Sequence, residues 1–142
     1  MFKIVEKKTL APAIYMMRVH APRVAESSNP GQFVIVMADK TGERVPLTIA
    51  DYDKEQGTVT VVIQAIGTST KEMCEFEEGD EFLDFVGPLG KPSELIYETD
   101  DELKRKKILF IAGGLGAAPV YPQVKYLHSI TKIGRASCRE RV

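Results

Sequence analysis

From the N-terminus to residue 86 the chain alternates short apolar runs with turn residues, the rhythm of an antiparallel barrel or sandwich. Residues 14–19, 32–37, 45–50 and 58–63 read as strands. The second is entered through Asn29-Pro30-Gly31, the third follows the turn Asp39-Lys40-Thr41-Gly42, and the fourth alternates after Gln56-Gly57. Ser69-Thr70-Lys71-Glu72 has the Ser-x-x-Glu form of a capping box, in which each end satisfies a backbone donor of the other. That predicts a short helix to about Phe76, stopped by Glu78-Gly79-Asp80. Residues 81–86 alternate again and run into Gly87-Pro88-Leu89-Gly90, read as a tight turn where the barrel closes.

The pattern then changes. Residues 91–106 are polar and acidic, without a strand period, and read as a link between two units. After Lys107, residues 108–112 are continuously apolar, so 107–112 reads as a parallel strand covered on both faces. Gly113-Gly114-Leu115-Gly116-Ala117-Ala118-Pro119 follows as a glycine turn opening a helix. Such a turn lets the backbone approach a pyrophosphate, with the free N–H groups of the helix start facing its charge. The predicted fold class is an antiparallel β barrel of six strands followed by the first βα unit of an α/β Rossmann-like domain. Its expected division is a barrel over 1–97, a linker over 98–106 and the start of a nucleotide-binding domain over 107–132. A mononucleotide-binding half needs several βα units, and one is present, so the sequence reads as the front of a longer protein. Residues 133–142 carry no apolar period and resemble translated sequencing adapter, so they are read as a non-native tail.

Charge and cysteine content narrow the function classes. The net charge is −1, and it falls to −3 without residues 133–142, which hold three arginines and one glutamate. The basic run Lys104-Arg105-Lys106-Lys107 lies beside the acidic Asp100-Asp101-Glu102, so there is no footprint for nucleic acid. With Cys138 set aside, Cys74 stands alone, which leaves no intrachain disulfide and no cysteine-based metal site in this part of the chain. The N-terminus lacks a signal-peptide core, and no apolar run reaches the roughly 18 residues of a membrane span. The expected setting is cytoplasmic and reducing, without membrane attachment.

Three motifs can carry chemistry. Gly114-x-Gly116 is followed by Pro119 where the standard dinucleotide fingerprint has glycine or alanine, which fits a variant nucleotide site or a purely structural βα turn. Glu43-Arg44-Val45-Pro46-Leu47-Thr48 offers the Arg44 guanidinium, which forks onto phosphate oxygens, and the Thr48 hydroxyl farther along the same strand, or simply a surface arginine. Gly67-Thr68-Ser69 joins a strand to a helix start, which can hold a second phosphate or be an ordinary capped entry. Cys74 and His20 read as packing and surface residues.

Taken in order, these motifs together with Gly87-Pro88-Leu89-Gly90 resemble the ferredoxin–NADP reductase superfamily. Within it they are similar to the small subunit of NADH-dependent ferredoxin:NADP oxidoreductase and sulfide dehydrogenase, and to the electron-transfer subunit of class B dihydroorotate dehydrogenase. The resemblance covers residues 2 to about 130. It implies a six-stranded FAD-binding barrel followed by a nicotinamide-binding half-Rossmann domain that takes NAD or NADP. By the same resemblance, Arg44 grips the FAD pyrophosphate and Pro46, Leu47 and Thr48 lie against the isoalloxazine, with Thr48 near the reactive nitrogen. Gly67, Thr68 and Ser69 supply the second flavin-phosphate contact. Gly113, Gly114, Gly116 and Pro119 form the nicotinamide-nucleotide loop. No catalytic side chain and no metal ligand are assigned, because direct hydride transfer needs neither. A [2Fe–2S] centre is implied only for a C-terminal part beyond this chain. The implied partner is a larger catalytic or iron–sulfur subunit in a hetero-oligomer, with ferredoxin a candidate. The implied function is electron passage between NAD(P)H, FAD and an iron–sulfur partner in the full-length protein, with this stretch alone expected to be inactive. A barrel module that docks a partner without redox chemistry is the alternative from a different class.

Overall fold

The computed structural model describes residues 1–131, so the expectations about residues 132–142 lie outside the described residues. The strands are β1 (Phe2–Ala11), β2 (Ile14–His20), β3 (Phe33–Met37), β4 (Arg44–Asp53), β5 (Thr58–Gln64), β6 (Glu81–Phe82) and β7 (Asp84–Leu89). All are antiparallel in one sheet of order β6-β1-β2-β5-β4-β3-β7. Its two outermost strands are consecutive in the chain. β6 pairs with β1 at Phe2↔Phe82, and β7 pairs with β3 from Met37↔Asp84 to Phe33↔Leu89. Between them Leu83 N–H donates to Ala38 O at 3.1 Å. The stretch predicted as one strand over 81–86 therefore changes partner at Leu83 and carries the sheet from one edge to the other. Counted as a single bent stave, it makes the seven strands the six of the expected barrel.

The core follows the alternation of the staves. Ile4, Met17, Val19, Val34, Val36, Ile49, Val59, Val61, Ile63 and Phe82 are completely buried in one cluster. Phe82 stacks on Phe76 with ring centroids 5.4 Å apart, and Phe85 packs near Phe2 at 5.8 Å. Both sides of the partner change are thus anchored by aromatic rings. The predicted turn over 87–90 is corrected: Gly87, Pro88 and Leu89 belong to β7. A Cβ at Gly87 would lie 2.7 Å from Val34 Cγ1, so glycine there reflects close approach of β7 to β3. β1 carries Lys3, Glu6, Lys7 and Lys8 and buries little besides Ile4, which hid it from pattern reading. A short helix, α1 (Pro22–Ser27), also lay unread between β2 and β3.

The helix predicted from Ser69 begins one residue earlier, as α2 (Thr68–Glu75), with Gly67 as its N-cap. Thr70, at the third helical position, is the side chain that reaches back, accepting from Gly67 N–H at 2.9 Å and Ile66 N–H at 3.0 Å. Glu72 therefore does not close a capping box with Ser69. At the far end, Lys7 Nζ donates to Cys74 O at 2.7 Å, pairs with Glu77 at 3.0 Å and sits over the Tyr15 ring. A cation at the carbonyl end of α2 complements its dipole and ties the helix to β1.

The stretch expected to be a link contains the helix α3 (Asp100–Arg105). Thr99 and Glu102 form a reciprocal capping box, with bonds of 3.2 and 3.1 Å. The acidic first turn and basic last turn, which resemble a solvated charge run, match a helix macrodipole, and Leu103 is buried. Residues 107–112 form no strand. A parallel strand needs a neighbouring strand for its backbone and cover for both faces. Among the described residues none pairs with this segment, and Leu109 and Ile111 are 82% and 86% exposed. The helix after the glycines does form, as α4 (Ala117–Thr131). Pro119 sits in its first turn as expected. Pro122 does not: it is the sixth helical residue, beyond the donors that lack partners anyway, and is buried. α4 lies against β4, where Lys125 Nζ meets Asp51 Oδ1 at 2.9 Å. That hydrogen bond raises the Lys125 ammonium above its ordinary range, with burial opposing it.

Two predictions follow from these contacts. Phe82→Ala should cost about 3–5 kcal/mol in urea denaturation, the usual range for emptying a core phenylalanine site, and a loss below about 1 kcal/mol would contradict closure at this residue. Lys125→Met should cost about 0.5 kcal/mol at neutral pH, because both partners are partly exposed. A lysine whose folded pKa is raised stabilises below its unfolded value of about 10.4 and loses that contribution as pH climbs through the folded value. The gap between mutant and parent should therefore close in strongly alkaline solution; a gap that stays constant would rule out the ion pair as its source.

Candidate functional site

β4 presents two faces with different content. Val45, Leu47 and Ile49 turn into the barrel core, while Arg44 and Pro46 are exposed and Thr48 shares their face by strand alternation. Of the three residues expected against a flavin ring, Pro46 and Thr48 thus offer side chains outward, whereas Leu47 packs inside and offers only backbone. The Arg44 Nη1 donates to Asp84 Oδ2 of β7 at 2.7 Å, and its side chain remains 57% exposed. This pair holds the guanidinium at the end of β4 while leaving its other N–H groups to solvent.

The N-terminus of α2 lies beside that same end of β4. Ser69 Oγ donates to Glu43 Oε2 at 3.0 Å, which joins the first turn of α2 to the residue preceding Arg44. The first bond of the helical ladder is Lys71 N–H to Gly67 O at 3.0 Å. The N–H groups of Thr68, Ser69 and Thr70 precede it and form the open positive end of the helix. A Cβ added at Gly67 would meet nothing within 4 Å, so the space above this turn is clear. Gly67, Thr68 and Ser69 therefore lie together at the first turn of α2, and Ser69 meets Glu43, the chain neighbour of Arg44, while the Arg44 guanidinium itself reaches to Asp84 of β7. Cys74, in the last turn of α2, is buried, and burial raises its thiol pKa, which fits packing and leaves it a poor nucleophile.

The glycine loop lies elsewhere. Gly114 has φ +55°, in the left-handed region, and begins a 3-10 turn (Gly114–Gly116) that leads into α4. Gly116 N–H donates to Gly113 O at 3.0 Å. Added Cβ atoms at Gly113, Gly114 and Gly116 would again meet nothing within 4 Å. With Leu115, Ala118 and Tyr121, this loop walls one side of a cleft of about 590 Å³, whose other side is the outer face of β1, β2 and β5. Gly114 is the one sequence-predicted site residue that lines this cleft. Arg44, Pro46, Leu47, Thr48, Gly67, Thr68 and Ser69 do not line it, nor do Gly113, Gly116 and Pro119.

Reading by motif missed what does line it. Glu6 and Arg18 stand directly opposite on β1 and β2 and pair at 2.7 Å, with Lys8 on Glu6 at 3.1 Å. The Lys8 hydrogen bond, aided by the Arg18 charge, lowers the Glu6 carboxyl below its ordinary range against some desolvation. Met16 and Val62 add apolar surface beside these charges. Only strand register places Glu6 opposite Arg18, and no local motif signals it. Among the described residues, no helix is long and apolar enough to cross a membrane.

No family model matches the chain. Over 128 residues it is 60% identical to an uncharacterized protein in the adh 3' region of Clostridium beijerinckii, taking in 90% of this chain and 43% of that protein. Over 125 residues it is 38% identical to a dihydroorotate dehydrogenase B (NAD(+)) electron transfer subunit homolog of Thermotoga maritima, taking in 88% of this chain and 42% of the relative. The chain thus spans less than half the length of these curated relatives. Its backbone matches a solved NADH-dependent reduced ferredoxin-NADP oxidoreductase, described for flavin-based electron bifurcation, with TM-score 0.81 and 37% identity over 90% of this chain and 44% of that one. Ferredoxin-NADP+ reductase from Plasmodium falciparum shares the fold at TM-score 0.68 and 17% identity, over 90% and 52% of the two chains. The closed antiparallel barrel, the glycine loop opening a helix behind it and these relatives together place the chain in the ferredoxin–NADP reductase superfamily.

Proposed function

We propose that this chain is the FAD-holding part of an electron-transfer subunit that passes electrons between NAD(P)H, FAD and an iron–sulfur partner, of the ferredoxin:NADP oxidoreductase and sulfide dehydrogenase type. The observation that carries this reading is the Ser69–Glu43 bond, which sets the open first turn of α2 beside the residue preceding Arg44, whose guanidinium Asp84 holds at the end of β4. A forked, permanent cation beside unpaired backbone N–H groups suits a pyrophosphate, whose charge needs donors from two directions. The clear space above Gly67 leaves room for the phosphate to approach the backbone.

In this reading Arg44 grips the pyrophosphate, and Asp84 holds the guanidinium in place. The backbone N–H groups of Thr68 and Ser69 and the Thr68 hydroxyl donate to the second phosphate, the Ser69 hydroxyl proton being given to Glu43. Pro46 and Thr48 line the ring, with the Thr48 hydroxyl toward its reactive nitrogen and Leu47 contributing backbone only. FAD, once bound, supplies the conversion between two-electron hydride transfer and single-electron steps. The residues of this chain bind and orient it, and no side chain is required to move a proton. The open loop of Gly113, Gly114 and Gly116, with Pro119 in the first turn of α4, receives the nicotinamide nucleotide, NAD or NADP. The division into a barrel over 1–97, a link over 98–106 and a nucleotide unit from 107 belongs to the same proposal, as does a cytoplasmic setting. A [2Fe–2S] centre in the longer protein and a larger catalytic or iron–sulfur partner subunit, with ferredoxin as a candidate, complete it.

The Thermotoga maritima relative favours a second reading, the electron-transfer subunit of a class B dihydroorotate dehydrogenase. The two share the flavin site and differ in the partner. Arg44→Ala should weaken FAD binding about tenfold or more, the loss expected for a charge-assisted hydrogen bond, as measured by quenching of flavin fluorescence. FAD binding equal to that of the parent would remove Arg44 from the site.

A further inference from the structure

We propose that Glu43 sets which phosphate chemistry the site accepts, admitting the diester bridge of a dinucleotide and rejecting the terminal phosphate of a mononucleotide. The inference rests on the flavin reading above and concerns the first residue of the Glu43–Thr48 motif, to which the sequence assigns no role.

Glu43 is the residue that joins the two halves of the site. Its Oε2 accepts from Ser69 Oγ at 3.0 Å, so its carboxylate lies at the first turn of α2, where a phosphate would dock. The guanidinium next to it in sequence is already shared with Asp84 at 2.7 Å. The charged side chains that these contacts fix around the site are thus two carboxylates and one guanidinium, supplemented by the partial positive end of α2, about half a charge. Among the side chains that these contacts hold, carboxylates outnumber cations.

A carboxylate at the phosphate position discriminates between ligands of equal total charge. A dinucleotide carries one negative charge on each of two phosphorus atoms, so one faces Arg44 and the other faces α2. A mononucleotide carries close to two charges on a single phosphorus at neutral pH, because its second pKa is about 6. Wherever that phosphate sits, it cannot divide its charge between the guanidinium and the helix. Docked on the open N–H groups of the first turn of α2, it sets both charges against the Glu43 carboxylate, where a dinucleotide sets one. Exclusion by an unmatched like charge is a common route to specificity.

The test compares FAD and FMN binding to the 142-residue chain, followed by flavin fluorescence, in the parent, Glu43→Gln, Glu43→Ala and Arg44→Ala. The parent should prefer FAD. Glu43→Gln should tighten FMN about tenfold while changing FAD less than threefold, and Glu43→Ala should do the same, because charge rather than the hydrogen bond is responsible. Both substitutions are at an exposed position, so the fold should survive, which circular dichroism checks. An unchanged FAD-to-FMN ratio in both variants, or weaker FAD in both, overturns the role of Glu43 and leaves the flavin reading standing. No binding of either flavin by the parent, or FAD binding indifferent to Arg44→Ala, overturns the flavin reading and this inference with it.

Discussion

The structure depends on one change of hydrogen-bonding partner. At Leu83 the chain leaves β1 and joins β3, so the two edges of the sheet are consecutive residues of one segment. An open sheet of this length would present unpaired backbone at both ends. Here the closing bond is covalent, and Phe82 and Phe85 fix it by burying aromatic rings on either side of the bend. Closure in turn fixes the end of β4, because Asp84, the first residue after the change, holds the Arg44 guanidinium. The constraint that completes the core thus also aims the cation of the candidate site.

A second consequence concerns α2. Its C-terminal end is tied to β1 by Lys7, and its N-terminal end is tied to β4 by Glu43 and Ser69. A short helix held at both ends keeps its open N–H groups at one place on the barrel surface. Binding a large anion then requires little ordering of the protein, which is where much affinity is otherwise lost. The glycine loop is less constrained. α4 is fixed on β4 by Lys125 and Asp51, while residues 107–112 before the loop pair with no described strand.

The barrel was legible in the sequence wherever a strand has one wet face. Residues 14–19, 45–50 and 58–63 alternate cleanly and fall inside β2, β4 and β5. β1 was not legible, because its outward residues are mostly charged and Ile4 alone is buried. The bend at Leu83 was equally hidden: alternation continues through it, and only the identity of the neighbour changes. At 107–112 a strong apolar run predicted a strand, yet a strand is a property of a pair. In the site, glycines and Arg44 were visible as motifs. The roles of Glu43, Asp84 and the Glu6–Arg18 pair were not, since each acts through a partner distant in sequence.

The central claim is that Arg44 and the first turn of α2 form one anion site on the barrel surface. Amide chemical shifts of the isotopically labelled chain, recorded as FAD is added, test it most directly. The account predicts that the largest changes fall on Arg44, Gly67, Thr68, Ser69 and Thr70. Changes confined to Arg18, Val62 and Leu115 would place the ligand in the cleft beside the glycine loop and contradict it.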